Sequence, residues 1–239
     1  MNETNSVPAE DTHVLMHSQS DLQRIYQQRF DGKLVYRKAV WRALIGDYFQ
    51  SFVRPTDSVL DLGAGYGEFI TQVTCEKKYA MDLNPDTQER VGTEVTCFLQ
   101  DCSSTWPLSD NSLDIVFTSN FFEHLPDKQA LGRTLDEIRR CLKPTGRLIA
   151  MGPNLKYLPG EYYDFWDHYV PLTENSLAEA LKNRDFSIEK CIGKFLPFTM
   201  AQGPQYPILF VRLYLQLTLA WQIFGKQFLV VANANKHDS

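Results

Sequence analysis

Apolar residues fall in short runs separated by polar and glycine-rich turns, and the spacing within each run predicts its structure. Val59 to Leu62 are apolar apart from Asp61, which suits a buried parallel strand. Phe69, Ile70 and Val73 follow at helical spacing. Upstream, helical segments are expected over 19–29 and 34–52. The second carries Val35, Ala39, Trp41, Leu44, Ile45, Tyr48 and Phe49, enough for an apolar face. Downstream, strands alternate with helices as far as residue 152. Leu131, Leu135, Ile138 and Leu142 mark a helix running from Asp127 to Cys141. Thr173 suits the cap of a helix over 174–183, and Glu174 favours its positive end. Phe186 to Ile192 and Lys226 to Ala232 read as strands.

A long insertion, 195–225, separates those last two strands. From Ile208 to Phe224 only Arg212, Gln216, Thr218 and Gln222 are polar. The run is at the short edge of a membrane span, and Arg212 with two glutamines argues against one. Leu209, Leu213, Leu217, Ala220 and Phe224 form one helical stripe, while Arg212 and Gln216 sit near another. An amphipathic helix covering the substrate side is the expectation. Peripheral membrane contact through 207–225 is the alternative.

Gly63, Gly65 and Gly67 alternate through the turn after the 59–62 strand. A strand, a glycine turn and a helix form the nucleotide-binding corner of a doubly wound α/β sheet. Glycine is needed where a Cβ would keep the backbone from a ligand. Glu68 breaks the dinucleotide fingerprint and disfavours a pyrophosphate, whose charge is also negative. A cationic or zwitterionic ligand is compatible with it.

Composition bounds the rest. The 239 residues suit one domain with a sizeable core. A net charge of −5 leaves no basic footprint for nucleic acid. The five cysteines are scattered with no CxxC pair, which supports neither a zinc site nor a disulfide framework and favours a reducing cytosol. The opening MNETNSVPAEDTH is polar and acidic, unlike a signal peptide. Residues 1–18 are expected to be disordered, 19–234 to fold as one domain, and 235–239 to form a short tail.

Five segments in order then resemble the class I S-adenosylmethionine (SAM)-dependent methyltransferases. They are DLGAGYG at 61–67, YAMDLNPD at 79–86, FLQDCSSTWPL at 98–108, LDIVFTSNFFEHL at 113–125 and LKPTGRLIAMGPN at 142–154. The resemblance implies a Rossmann-like, doubly wound, seven-stranded sheet with an antiparallel last strand, plus N-terminal helices and the helical insertion. It implies SAM as cofactor and Asp82 as the ligand of both ribose hydroxyls. A carboxylate with two acceptor oxygens matches a vicinal diol. Asp101 takes the place of the acceptor for the adenine amino group. Asp61, Gly63, Ala64 and Gly65 from the loop, with Leu83, Cys102 and Asn120, complete the implied cofactor set.

The asparagine–proline–proline–aromatic tetrapeptide of many amino-group methyltransferases is missing. SNFFEHL at 119–125 stands in its place, which weakens DNA or protein nitrogen methylation but leaves small amines open. An alcohol acceptor must lose a proton, and a general base helps. Candidates are Glu123 and His124, and Asp164, Asp167 and His168 within YYDFWDHYVPLT at 162–173. His168 leads, because the loop after the fifth strand often borders the acceptor in this family; His124 is the reserve. The bland reading of His168 is a histidine held in an aromatic cluster. Glu123, His124 and His168 also resemble part of the metal set of the small-RNA ribose methyltransferases. Asn120 stands where that set has its first glutamate, and no metal is assigned. In related enzymes an N-terminal segment folds over SAM, which makes Tyr26, Arg29 and Tyr36 candidates for closing the site.

FWDHYVPLTENSL, FLPFT at 195–199 and LAWQIFGKQFLVVA are similar to methyltransferases found beside bacterial glycan and secondary-metabolite genes. That favours hydroxyl methylation of a small-molecule or glycan acceptor, lipid-linked sugars included. The alternatives are an N- or carboxyl-methyltransferase and a SAM-binding protein without catalysis. A cytoplasmic location is expected, and the oligomeric state is left open.

Overall fold

A computed structural model describes residues 23–25, 27–28, 31–198 and 203–236. Tyr26, Arg29, Thr199 and the expected 1–18 tail lie outside them. The strands are β1 (Ser58–Leu62), β2 (Lys77–Asp82), β3 (Thr96–Leu99), β4 (Leu113–Ser119), β5 (Leu142–Pro153), β6 (Phe186–Ile192) and β7 (Gln227–Ala234). They form one sheet in the order β3-β2-β1-β4-β5-β7-β6. The first five pair in parallel, and β7 runs antiparallel to both β5 and β6. This is the expected seven-stranded, doubly wound α/β sheet with an antiparallel last strand.

Side chains alternate across the sheet and bury both faces. Leu60 and Leu62 of β1, Val116 of β4 and Leu148 and Ala150 of β5 share one core cluster. Val59, Ile115, Phe117, Ile149 and Met151 point into the other. Such continuous apolar strands require helices on both sides. Helix α1 (Leu34–Asp47) covers the second face through Val40, Trp41, Leu44 and Ile45. Helix α2 (Asp86–Val91) follows β2, and α3 (Lys128–Cys141) packs Leu131, Leu135 and Ile138 on the first face. Asp127 caps α3 by accepting from the Ala130 N–H, and Thr173 with Ser176 forms a capping box on α4 (Glu174–Lys182).

Three expectations change in detail. The 34–52 helix ends at Asp47, and Phe49–Phe52 is a 3₁₀ turn. No regular helix follows the glycine turn. Thr71 and Val73 donate back to Gly67 and Phe69, but the Thr71 hydroxyl and Gln72 amide also bond the Gly67 and Glu68 carbonyls. The chain must then reach Asp57, whose carbonyl accepts from Glu76 and Lys77, to start β2. The single helix expected in the insertion is two, α5 (Ile208–Gln216) and α6 (Thr218–Phe224). In a continuous helix the Tyr214 carbonyl would accept from the Thr218 N–H. Here the Leu217 N–H and the Trp221 indole take it, and the chain bends at Leu217.

Leu215 and Trp221 anchor the insertion in the second core cluster, Trp221 edge-on to Phe195 and Tyr48. Each fully buried side chain of that size contributes about 1.5–3 kcal/mol. Arg212 makes a bidentate pair with Asp47 of α1, but more than half of its side chain is exposed, and solvent screening leaves such pairs a small contribution. Burial therefore holds the insertion, and the ion pair sets its register on α1.

Candidate active site

Strand order reverses between β1 and β4, and open α/β sheets bind ligands outside the carboxyl ends of the strands at that reversal. A cavity of about 1150 Å³ lies there. The chain segments leaving β1, β2, β3 and β4 all reach it. Every residue of the implied cofactor set lines it: Asp61, Gly63, Ala64 and Gly65; Asp82 and Leu83; Asp101 and Cys102; and Asn120. His124 and His168 line it as well.

The glycine turn is shaped by its neighbours. Gly63 has φ +67°, and a Cβ there would overlap the Phe121 ring. A larger residue is thus excluded by the β4 loop as well as by the backbone. The N–H groups of Gly63 and Ala64 donate to the Met81 carbonyl, which ties the turn to β2. Asp82 holds it from the side, accepting from the Gly65 N–H at 2.7 Å and from the Asn84 N–H at 2.8 Å. Asp101 folds its own loop by accepting from the Ser103 N–H.

The electrostatics fit a cation. Asp61 is buried, and burial with the charges of Glu68 and Asp82 pushes its carboxyl up to about 8, against the pull of the Ile70 N–H. Burial also raises Asp82, which the N–H groups of Asn84, Gly65 and Leu83 oppose. Asn120 sits at φ +50° with its amide nitrogen bonded to Ser119 Oγ. Its Oδ1 is a buried acceptor on the cavity wall with no hydrogen-bond partner among the described residues. Buried carboxyls that repel one another beside an unused acceptor suit a ligand with ammonium or sulfonium charge.

The other end of the cavity is closed by the loop after β5. The Glu123 carbonyl accepts from the N–H groups of Tyr169 and Val170, which draws 162–173 against the turn after β4. The two histidines thereby meet, ring centroids 4.9 Å apart. His124 Nδ1 lies 2.8 Å from the Asp167 carbonyl oxygen and 3.2 Å from its carboxylate. A carbonyl only accepts, so Nδ1 carries the proton and Nε2 is the basic nitrogen. Burial lowers the His124 pKa, but the Asp167 carboxylate, the Glu123 charge and the Asp167 carbonyl outweigh it and leave it raised. His168 is buried in a cluster, stacked on Phe165 and edge-on to Tyr162. One ligand atom from each of Glu123, His124 and His168 lies within 4.8 Å of the others.

The sequence left several wall residues unnamed. Arg37 of α1 lines the cavity and binds Glu68 at 2.7 Å. It lies at the site together with Tyr36 and Trp41. Nothing in the sequence singled out Arg37, and only the fold brings it to Glu68. Phe121, the ring over Gly63, carried no chemical signal at all.

A family model described as "Methyltransferase domain" matches residues 60–150, which run from within β1 into β5 and include the glycine turn and the turn after β4. Over residues 60–150 the chain carries a methyltransferase domain, within a sheet of the class I, SAM-dependent methyltransferase fold. An uncharacterized methyltransferase of Mycolicibacterium vanbaalenii is 29% identical over 120 residues, covering 45% of this chain and 44% of that one. A glycine/sarcosine/dimethylglycine N-methyltransferase of Actinopolyspora halophila is 30% identical over 112 residues, 42% of this chain and 19% of that one. The chain thus spans less than half the length of either relative. A SAM-dependent methyltransferase structure from Archaeoglobus fulgidus superposes with a TM-score of 0.60, covering 84% of this chain and 97% of that one at 20% identity. It is similar in fold. SAM is the cofactor of this methyltransferase domain, and the acidic, ammonium-ready end of the cavity fits it.

Proposed function

We propose that the chain methylates a hydroxyl of a small-molecule or glycan acceptor, lipid-linked sugars included. The observation that carries the proposal is the Asp167–His124 pair, which fixes His124 Nε2 as a base on the cavity wall. Bound SAM supplies an electrophilic methyl group on a sulfonium. Asp82 and Asp101 would hold its ribose and adenine, and Asp61 and Asn120 would offset its positive charge. The remaining task is to hold the acceptor in line. His124 Nε2 takes the hydroxyl proton as the new C–O bond forms and the C–S bond breaks. His124 also sits close enough for its charge to pull down the Asp82 carboxyl, so the two ends of the cavity are electrostatically in touch. His168 keeps a role as an acceptor contact. The order of the two histidines is exchanged from the sequence expectation, because Asp167 holds Nδ1 of His124 and leaves Nε2, 4.0 Å from the Glu123 carboxylate, as its basic nitrogen.

Two other readings have support. The amine acceptors in the name of the Actinopolyspora halophila relative favour N-methylation, which would not require this base. The grouping of Glu123, His124 and His168 favours a divalent metal that would bind the acceptor oxygen. Methyl-labelled SAM offered with acceptor pools, followed by mass spectrometry, separates them. A labelled methyl ether supports the proposal. A labelled amine or ester replaces it with the second reading, and activity lost to a chelator and restored by a divalent ion adds the metal. SAM binding with no transfer to any acceptor leaves a binding protein without catalysis.

A further inference from the structure

One wall of the cavity is unlike the others. From α5 and α6 it receives Phe210, Val211, Tyr214, Ile223 and Phe224. The only polar side-chain atom among these five, the Tyr214 hydroxyl, already donates to the Phe195 carbonyl at 2.7 Å. Leu196 and Phe198, from the chain that enters the insertion, line the same cavity. The stretch 203–225 contains no acidic residue, and its one cation, Arg212, is paired with Asp47. A polar group laid on this wall would lose its water and gain no partner there.

Three of these residues are also open to solvent: Phe210, Ile223 and Phe224 are 59%, 72% and 60% exposed. Large apolar side chains that a fold leaves uncovered at a cavity mark where a ligand buries apolar carbon. SAM does not call for them, because its charges and polar groups match Asp61, Asp82, Asp101 and Asn120 at the tips of β1 to β4. The volume of about 1150 Å³ exceeds the roughly 300–1,000 Å³ of a site for one drug-sized ligand, so room remains beside the cofactor. Polar groups at the acceptor end come from other segments. His124 and His168 stand on the loops after β4 and β5, and Lys226 is paired with Glu161 at 2.7 Å. The acceptor end is thus amphipathic, and a matching ligand is amphipathic too.

We propose that the acceptor is an amphiphile whose hydrocarbon chain lies along α5 and α6 and leaves the cavity past Phe210, Ile223 and Phe224, its hydroxyl-bearing head toward His124. The hydrocarbon subsite stands on the wall alone. The placement of the head rests on the reading of His124 as the base.

Calorimetry with a neutral amphiphile series tests the subsite. The whole chain, with S-adenosylhomocysteine (the demethylated cofactor) present, is titrated with glucose and with hexyl, heptyl, octyl and nonyl glucoside, each below its micelle concentration. Affinity is expected to rise roughly threefold to fourfold with each methylene, as for burial of a CH₂ group. Phe210→Ser with Ile223→Ser is expected to flatten that rise. Its affinity for S-adenosylhomocysteine is expected to stay unchanged and reports that the variant is folded. If the pair loses cofactor binding, Ile223→Ser alone takes its place, with a partial flattening expected. Leu219→Ser, exposed on α6 but off the cavity wall, is expected to keep the wild-type rise. A wild type that binds none of the series, or binds without regard to chain length, would overturn the proposal. So would a rise that survives in the Phe210 and Ile223 variants. A rise lost equally in Leu219→Ser would also overturn it, since the hydrocarbon would then lie on the outer face of the insertion. A labelled amine or ester on an amphiphile replaces the hydroxyl chemistry and leaves the subsite standing. A labelled ether on a chainless sugar, with affinity indifferent to chain length, defeats this inference alone.

Discussion

The two ends of the cavity are built from different materials. At the cofactor end, short turns at the tips of β1 to β4 supply the groups, and the backbone does much of the binding. Asp82 is fixed by the Gly65 and Asn84 N–H groups, and the glycine turn is fixed by the Met81 carbonyl. At the acceptor end, side chains from distant segments converge. His124 follows β4, Asp167 and His168 follow β5, and Phe210 and Phe224 come from the insertion. The first end is tied together by backbone hydrogen bonds, and its buried carboxyls suit a cation. The second is a pairing of loops that can vary while the sheet stays the same, which is how one fold serves many acceptors.

Breaking the acceptor end should give the largest effect. His124→Ala is expected to lower turnover by about 10²–10⁴-fold, as for a positioned base, with SAM affinity nearly intact. Single-turnover kinetics on the true acceptor measure it. An equal loss from His168→Ala with full activity in His124→Ala would restore His168 as the base. Breaking the cofactor end should act on binding instead. Asp82→Ala is expected to weaken SAM by roughly 1.5–3 kcal/mol, and Asp101→Ala by less, since one adenine contact is at stake. Calorimetry checks both, and equal losses at the two positions would contradict the assignment.

How much of this was legible in the sequence follows the same division. The glycine turn was readable because a tight turn demands glycine at a local spacing, and Asp82 and Asp101 because the segments that carry them resemble those of the methyltransferases. All of that set reached one cavity. The partnership of His124 with Asp167 was not readable, although both residues had been singled out. It depends on the Glu123 carbonyl drawing two backbone N–H groups across 46 and 47 positions of chain, a contact that leaves no mark on either segment. Arg37 was hidden for the same reason. The bend at Leu217 was missed because hydrophobic spacing reports faces, and a tryptophan that takes a helical carbonyl leaves the spacing unchanged.

Smaller effects in pH sharpen the comparison. The His124 pKa is raised, so the basic form that accepts a proton is reached only at higher pH than for an ordinary histidine. The acidic limb of the kcat/KM profile should lie above about 6.5 and move down in Asp167→Asn, because a cause of the raised value is removed. An unmoved limb would detach Asp167 from the base. By linkage, protonated His124 contributes stability that is full below its unfolded pKa and is lost as pH rises through the raised folded value. At the cofactor end, Asp61 is held near 8 and so is largely protonated at neutral pH. A bound cation favours its ionised form, so SAM should release a proton on binding and bind more tightly as pH rises toward 8. Calorimetry in buffers of different ionisation enthalpy reads the release, and Asp61→Asn should abolish it.

The most direct test of the central claim is a titration of the purified chain with SAM, and separately with NAD. Arg37 pairs with Glu68 and offsets its charge, while Asp61, Asp82 and the Asn120 oxygen, without a hydrogen-bond partner among the described residues, favour a cation bearing a ribose. The account predicts saturable binding of SAM, weakened in Asp82→Ala, and no heat with NAD. Binding of NAD without binding of SAM would contradict it.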